Sequence, residues 1–382
     1  MALCHTPVRV PALYCPFQFR SSPVTEEIDQ DAQRWMDRFG LFADARQREY
    51  FHSSHFGRFV GFGVPDGRPG PLRTAAAYCG WVFAFDDVVS DESGGAPGTG
   101  DLADYLARLA RMLEAPQAPA PVGDKWAAAL LDLRLALDRY GTPAQVHRWV
   151  EQIRDYFTGL VWESAVREGV TGSGSITASE GVTGSGSGEL PGLNDYVMLW
   201  QKSSGILPAL SLMEIAQERL LTAEQLHDPR IRVLQDISVT LLGWSNDITS
   251  YNKEAFRERR FGFPESLNLV PVLAREYRIP LDEAGVRAAD LHDRAMHRLA
   301  GLGARLRGRG GPGLARYVGA LEQLVRGGLE WQVTTDRYQD PNDPGETVAP
   351  RVSIPGIRST PAAPLDPGPP DIPAIAWWWD QP

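Results

Sequence analysis

Apolar residues recur at helical spacing along most of the chain. Ile28, Ala32, Trp35 and Phe39 stand three or four apart, behind the N-cap candidate Thr25 and ahead of the stop residue Gly40. The same periodicity predicts helices over 43–58, 72–89, 101–114, 124–140 and 143–168, another around Tyr196, and four more over 223–256, 265–277, 281–306 and 313–338. Gly57, Gly61, Gly63 and the stretch from Pro65 to Pro71 are expected to loosen the chain before the 72–89 helix. Gly205 with Pro208 is expected to break or kink the Tyr196 helix, because proline lacks an N–H and clashes one turn back, and such a break frees carbonyls to face a cavity. Nothing between these segments alternates as a strand does. The expected fold is all-α, a single helical bundle domain over residues 23–338.

Three stretches depart from this pattern. Residues 1–22 are punctuated by Pro7, Pro11 and Pro16 and read as an extended leader laid over the helices. Residues 168–190 contain an eight-residue segment, Glu168 to Ser175, that recurs unchanged from Glu180 to Ser187 and is built almost wholly of Gly, Ser, Thr and small residues. It cannot bury enough apolar surface to offset its ordering entropy, so it reads as a flexible insertion, most simply a local duplication in a tolerant surface loop. Residues 339–382 are Pro-rich and end in Trp377, Trp378 and Trp379; the composition predicts that most of this tail is disordered.

Composition narrows the function classes. With 43% hydrophobic and 23% charged residues the chain reads as an ordinary globular protein. A formal charge of −10 argues against nucleic acid as a partner. Three cysteines at unrelated positions predict neither a disulfide framework nor a metal-ligand spacing, which points to a reducing cytoplasm, and the seven histidines include no close pair that suggests zinc. No uninterrupted apolar h-region opens the chain and no apolar run reaches a spanning length, so neither a signal peptide nor a membrane span is expected.

The chemistry is concentrated in two polar clusters that interrupt apolar runs. Asn246, Ser250 and Glu254 recur every four residues and share a helix face. An amide oxygen, a hydroxyl and a carboxylate are hard ligands that suit Mg²⁺, which keeps several waters and takes further ligands from phosphate. A solvated polar face is the plain alternative. Upstream, Asp86 and Asp87 close an aromatic run, Trp81 to Phe85, and Asp91 follows one turn later. Clustered carboxylates repel unless a cation neutralises them, and at a helix C-terminus they oppose the macrodipole, so a purely structural role explains them poorly. Two oxygen clusters, a late Arg337-Tyr338 pair and aromatics such as Phe83 together suggest a site for a metal-bound anionic head with an apolar tail.

These residues resemble the motifs of class I terpene synthases, in particular the bacterial terpene cyclases. Asp86, Asp87 and Asp91 look like the family's aspartate-rich motif; Asn246, Ser250 and Glu254 match its second metal motif, with Lys253 fitting the bacterial version; Arg337-Tyr338 resembles the pair that closes over the diphosphate. The resemblance runs from about Pro23 to Tyr338. It implies a helical bundle with a central cavity and three Mg²⁺ ions gripping a linear prenyl diphosphate. Ionisation and cyclisation to a hydrocarbon or alcohol would follow, with farnesyl diphosphate favoured over geranylgeranyl diphosphate. It also implies that the N-terminal segment helps to cap the closed site; a homodimer is compatible with it.

The family's diphosphate-sensing Arg stands four residues before the helix-break Gly, and here that position is Gln201, which has no fixed charge; Lys202 would then share the task, and a one-residue shift of register would bring Trp200 there instead. By the same register Ser204 is the linker and Gly205 the effector whose carbonyl faces the substrate, while Phe83 and Trp200 would line the cavity. Two other readings stand beside this one. An isoprenyl diphosphate synthase shares the fold and metal chemistry but typically carries two aspartate-rich motifs. A helical binding protein with a decayed site finds its support in Gln201.

Overall fold

The computed structural model describes residues 7–90, 98–171, 191–218, 221–261, 267–309, 311–340, 351–362, 364–366 and 368–381. Asp91 and residues 172–190 of the repeat lie outside them. The helices are α1 (Thr25–Phe39), α2 (Ala45–Ser54), α3 (Phe56–Gly63), α4 (Pro69–Phe85), α5 (Thr99–Glu114), α6 (Lys125–Leu137), α7 (Pro143–Thr171) and α8 (Leu193–Ser203). They continue as α9 (Ile206–Ala216), α10 (Ala223–Leu226), α11 (Pro229–Phe261), α12 (Leu269–Tyr277), α13 (Leu281–Arg309), α14 (Pro312–Thr334), α15 (Asp336–Gln339) and α16 (Pro373–Ala376). The only strands among the described residues are β1 (Leu13–Tyr14) and β2 (Ile357–Arg358), paired in parallel. The all-α expectation holds, and no described helix is long and apolar enough to cross a membrane.

Helices α4 and α11 form the middle of the bundle. α4 is buried on nearly every side, and α1, α3, α6 and α9 pack around it; a helix that is apolar all round belongs at the centre. α11 is in turn surrounded by α8, α12, α13 and α14. The turn that follows α4, Asp86–Ser90, and the middle of α11 bring Asp86, Asp87, Asn246 and Glu254 to one cavity between them.

Several expected boundaries move, for local reasons. The 43–58 helix is two helices, because His55 takes a left-handed conformation (φ 54°) between α2 and α3. Asp29 holds this break: its carboxylate accepts from the Gly57 N–H at 2.9 Å and pairs with His55 Nδ1 at 2.8 Å. Gly57, Gly61 and Gly63 do not loosen the chain but lie in α3, where a Cβ on Gly57 would come within 2.2 Å of the Asp29 Cα and one on Gly61 within 2.3 Å of the Thr25 hydroxyl. They are the close-approach positions that let α3 lie between α1 and α14. Pro229 starts α11 and separates it from α10, so 223–256 is not one helix. Thr335 ends α14 and caps α15, so 313–338 is not one helix either. The break expected at Gly205 with Pro208 falls between α8 and α9, and Pro208, the third residue of α9, stands in the first turn, where its missing N–H would have had no intrahelical partner.

The tail also differs from its expectation. Residues 351–358 run beside the leader, α16 docks on α8, and Trp378 is fully buried. Proline is tolerated in extended segments and in the first turn of a helix, as at Pro373 of α16, so the tail can lie against a body already folded and bury apolar side chains such as Ile372, Ile375 and Trp378.

Candidate active site

The aspartate cluster is delivered by a change of helix type. α4 ends at Phe85 and continues as a single π-helical turn, Asp86–Ser90. Such turns are rare and are enriched at functional sites. The wider turn rotates less per residue, so the neighbouring Asp86 and Asp87 both front the cavity. The preceding aromatics anchor the turn: Trp81 stacks on Phe85 at 4.6 Å, and Phe83 stacks on Phe56 at 4.8 Å. Asp91 lies outside the described residues.

Asp87 is engaged across the cavity by Arg337, in a two-pronged pair with N···O distances of 2.9 and 2.8 Å and both side chains buried. The guanidinium also lies 4.9 Å from the Phe83 ring centroid. Burial alone would lower the Arg337 pKa, but the Asp87 carboxylate outweighs it and holds the group well above its ordinary value. Thr335 sets this corner: its hydroxyl accepts from the Arg337 N–H at 3.3 Å and donates to the Ser54 carbonyl at 2.9 Å. Next along, the buried Tyr338 hydroxyl accepts from Asn246 Nδ2 at 2.6 Å. Burial pushes the Tyr338 phenol upward, so it stays neutral.

On α11, Asn246, Lys253 and Glu254 line the cavity. Lys253 follows Asn246 by nearly two whole turns and so falls in line with it; its Nζ stands 5.9 Å from the Tyr338 ring centroid. Ser250 is buried behind this row rather than on the wall, its hydroxyl donating to the Asp247 carbonyl at 3.3 Å. Asn268, just before α12, organises the row from the side: its Nδ2 reaches the Asp247 carbonyl at 2.9 Å, Glu254 Oε2 at 3.1 Å and Ser250 Oγ at 3.5 Å.

Residues that sequence reasoning did not select complete the wall. The Asp247 carboxylate accepts from the Tyr196 hydroxyl, from Trp200 Nε1 at 3.1 Å and from the Leu269 N–H at 3.0 Å. Burial raises its pKa well above the carboxylate range against the pull of the Tyr196 hydrogen bond. Glu163 and Arg167 of α7, bonded at 2.8 Å, also face the cavity. So do Tyr156, whose buried hydroxyl has no hydrogen-bond partner among the described residues, and Gln332, whose amide donates to the Leu242 carbonyl at 3.1 Å. Asp247 sits beside Asn246 in sequence and so offered a signal; Asn268, Glu163 and Gln332 offered none, because only packing brings them to the row.

The α8–α9 break corrects two expectations. Gln201 does not line the cavity; its Nε2 donates to Thr240 Oγ1 at 3.1 Å. Lys202 is turned outward to Asp155 at 2.9 Å on the exposed side of α8, away from the cavity wall. Trp200 occupies the wall instead, against the Gly243 backbone, where a Cβ would come within 2.6 Å of its ring. Adjacent positions on a helix point about 100° apart, which is why a one-residue shift decides which of them enters. Ser204 and Gly205 both reach the wall. The Gly205 carbonyl is engaged by the Tyr78 hydroxyl at 2.7 Å, and its φ of 65° makes the break.

The donor set suits Mg²⁺. The oxygens are carboxylate and amide oxygens, with Lys253, Arg167 and Arg337 in the same wall to meet an anion. Among the described residues no three His, Cys, Asp or Glu side chains cage a metal by themselves.

Comparison with known proteins agrees with this geometry. The family profile described as terpene synthase family 2, C-terminal metal binding, matches residues 77–298. The (+)-(1(10)E,4E,6S,7R)-germacradien-6-ol synthase of Streptomyces pratensis is 32% identical over 97% of this chain and 96% of its own. The 4-epi-cubebol synthase of Streptosporangium roseum, described as (2E,6E)-farnesyl diphosphate cyclizing, is 27% identical over 87% and 93%. The crystal structure of the SVS_A2 protein from ancestral sequence reconstruction superposes with a TM-score of 0.77 at 26% identity, over 97% of this chain and 99% of that one. With the aspartates of the π-turn, the α11 row and Arg337-Tyr338 gathered around one aromatic cavity, the chain belongs to the class I terpene synthases of bacterial type.

Proposed function

We propose that the protein is a Mg²⁺-dependent terpene cyclase that ionises a linear prenyl diphosphate, with farnesyl diphosphate as the favoured substrate, and cyclises the cation with release of diphosphate, a carbon–oxygen lyase reaction. The observation that carries this reading is that Asp86, Asp87, Asn246, Glu254, Lys253 and Arg337 line one cavity together with the aromatic side chains of Phe59, Phe83, Trp200 and Trp331. The C15 preference draws on the farnesyl diphosphate named for the Streptosporangium roseum relative.

Asp86 with Asp87 on one side, and Asn246 and Glu254 with Ser250 behind them on the other, would hold Mg²⁺. Bound there, the metal supplies the charge that stabilises the departing diphosphate. Arg337 is the mobile charge: released from Asp87, it turns its two-pronged face to phosphate oxygens, a geometry that Lys cannot reproduce. Tyr338 and Lys253 sit beside it to orient the same group. Trp200, Phe83 and Trp331 exclude water and offer ring faces to the cation, which ends in proton loss or water capture.

The test is incubation of purified protein with C10, C15, C20 and C25 prenyl diphosphates, with and without Mg²⁺, reading terpene by gas chromatography and diphosphate in parallel. A cyclic product from C15, only with Mg²⁺, is the expected result. A longer homologue cyclised in its place overturns the chain-length assignment, and absence of diphosphate release from all four overturns the cyclase reading.

A further inference from the structure

Between Ser250 and Glu254 of α11 stands a buried polar side chain that does not face the cavity. Asn252, two residues from both Ser250 and Glu254, is turned the other way and spends its whole amide on the two ends of the chain. Its Oδ1 accepts from the Val8 N–H at 2.9 Å, and its Nδ2 donates to the Val8 carbonyl at 3.0 Å and the Ser353 carbonyl at 3.3 Å. A carboxamide that exchanges both bonds with one residue's backbone imitates a neighbouring strand, and it needs an acceptor and a donor at once.

Beyond Asn252 the two ends are joined to each other. Leu13 N–H donates to the Gly356 carbonyl at 2.8 Å, Cys15 N–H to the Arg358 carbonyl at 2.9 Å, and Arg358 Nε to the Ala12 carbonyl at 2.8 Å. Asp293 of α13 pins both, accepting from the Tyr14 N–H at 2.8 Å and pairing with the Arg358 guanidinium. At its other end the tail grips the short helix that presents Arg337 and Tyr338: Val352 N–H donates to the Gln339 carbonyl at 2.9 Å and Arg351 pairs with Asp336 at 2.7 Å. That ion pair is exposed and contributes little. The buried, fully satisfied amide of Asn252 is therefore the specific fastening, since a polar group so placed is costly unless every bond is made.

We infer that Asn252 is a positioning residue: through it the leader and the tail, joined as one strap, hold the metal-facing side of α11 in register with the Arg337–Tyr338 turn. The inference rests on the cyclase reading above and adds to it a part for the tail. Without the strap the metal row and the diphosphate-binding Arg would close on each other less accurately and water would enter. Misplacement of reacting groups by about 1 Å can cost on the order of a hundredfold in rate.

The experiment compares the full-length wild type with Asn252→Ala, Asn252→Asp, which keeps the acceptor and loses both donors, and Arg358→Ala, which loosens the strap on the α13 side. We expect kcat to fall about 10- to 100-fold in both Asn252 variants, the range typical when a partner that orients ligands is removed. KM for the prenyl diphosphate should move much less, and the share of uncyclised prenyl alcohol should rise. Arg358→Ala should shift products the same way and add less than its single effect when combined with Asn252→Ala. Unchanged kcat and products in Asn252→Ala, with faster amide exchange over residues 8–15 and 351–358, would overturn the inference, as would fully additive variants. Should Asn252→Ala not fold, Arg358→Ala carries the same test alone. Wild type that turns over no prenyl diphosphate refutes the cyclase reading separately. Amide exchange with Mg²⁺ and inorganic diphosphate then decides: protection of 351–358 gained in wild type and lost in Asn252→Asp upholds the strap, and equal protection overturns it.

Discussion

Replacing Asp87 by Asn should destabilise the ligand-free protein, although Asp87 lies on the wall of a cavity built to bind. The Asp87–Arg337 pair is buried on both sides and bonded through both prongs at 2.8 and 2.9 Å. Removing one partner of such a pair leaves a charge out of water without compensation, at a cost of about 3–5 kcal/mol. The Arg337 guanidinium keeps company with the rings of Phe83, Tyr50 and Phe56 at 4.9, 5.3 and 5.9 Å. Cation–π attraction of about 1 kcal/mol or more offsets part of the loss, so about 3 kcal/mol is expected. For 382 residues an unfolding entropy of about 2.1 cal/mol/K per residue converts this to a fall in Tm of about 4 °C. Differential scanning calorimetry without Mg²⁺ or diphosphate reads it directly. Arg337→Met should cost less, and the double variant should show coupling of about 2–3 kcal/mol, because the orphaned charge is gone. Asp87→Asn melting within about 1 °C of wild type, or additive single effects, would refute the argument that this buried pair stabilises the fold.

Other outcomes follow from neighbouring contacts. Asn268→Ala removes the amide that spans Asp247, Ser250 and Glu254, so turnover should fall about 10- to 100-fold and the Mg²⁺ concentration for half-maximal rate should rise; a Mg²⁺ titration checks both. Lys202→Ala should leave kcat and KM unchanged, since its pair with Asp155 is exposed and turned away from the cavity; a changed KM for the diphosphate would return it to the site. Glu214, buried against Arg148, has its carboxyl pushed by burial from 4.5 up to about 7. The folded state therefore binds the proton more tightly, and this residue's contribution is present below pH 4.5 and lost as pH rises toward 7. The loss amounts to about 3 kcal/mol. Glu214→Gln should flatten the fall in denaturant-derived stability between pH 5 and 8.

The helices were legible because burial imposes periodicity: a helix packed against a core must repeat its apolar residues, and α1 does so through Ile28, Ala32 and Met36. The polar row of α11 stood out for the same reason in reverse, since a polar face in the middle of an apolar helix is costly without a purpose. The bends were not. His55, Pro229 and Thr335 break helices whose periodicity runs straight through them, because what holds each break is a partner distant in sequence or a single cap: Asp29 for His55, Ser54 for Thr335.

By itself, then, the sequence determined the all-α class, the two oxygen clusters and the late Arg-Tyr pair, all carried by local spacing and residue chemistry. Tertiary structure alone decided which neighbour faces inward. It placed Trp200 on the cavity wall and turned Gln201 and Lys202 away from it. It set Ser250 behind the row under Asn268 and latched Arg337 to Asp87 across 250 residues. It also laid a Pro-rich tail, expected to be disordered, along the leader and Asn252. Each of these depends on a partner supplied by another helix or by the far end of the chain, and spacing along one segment carries no record of it.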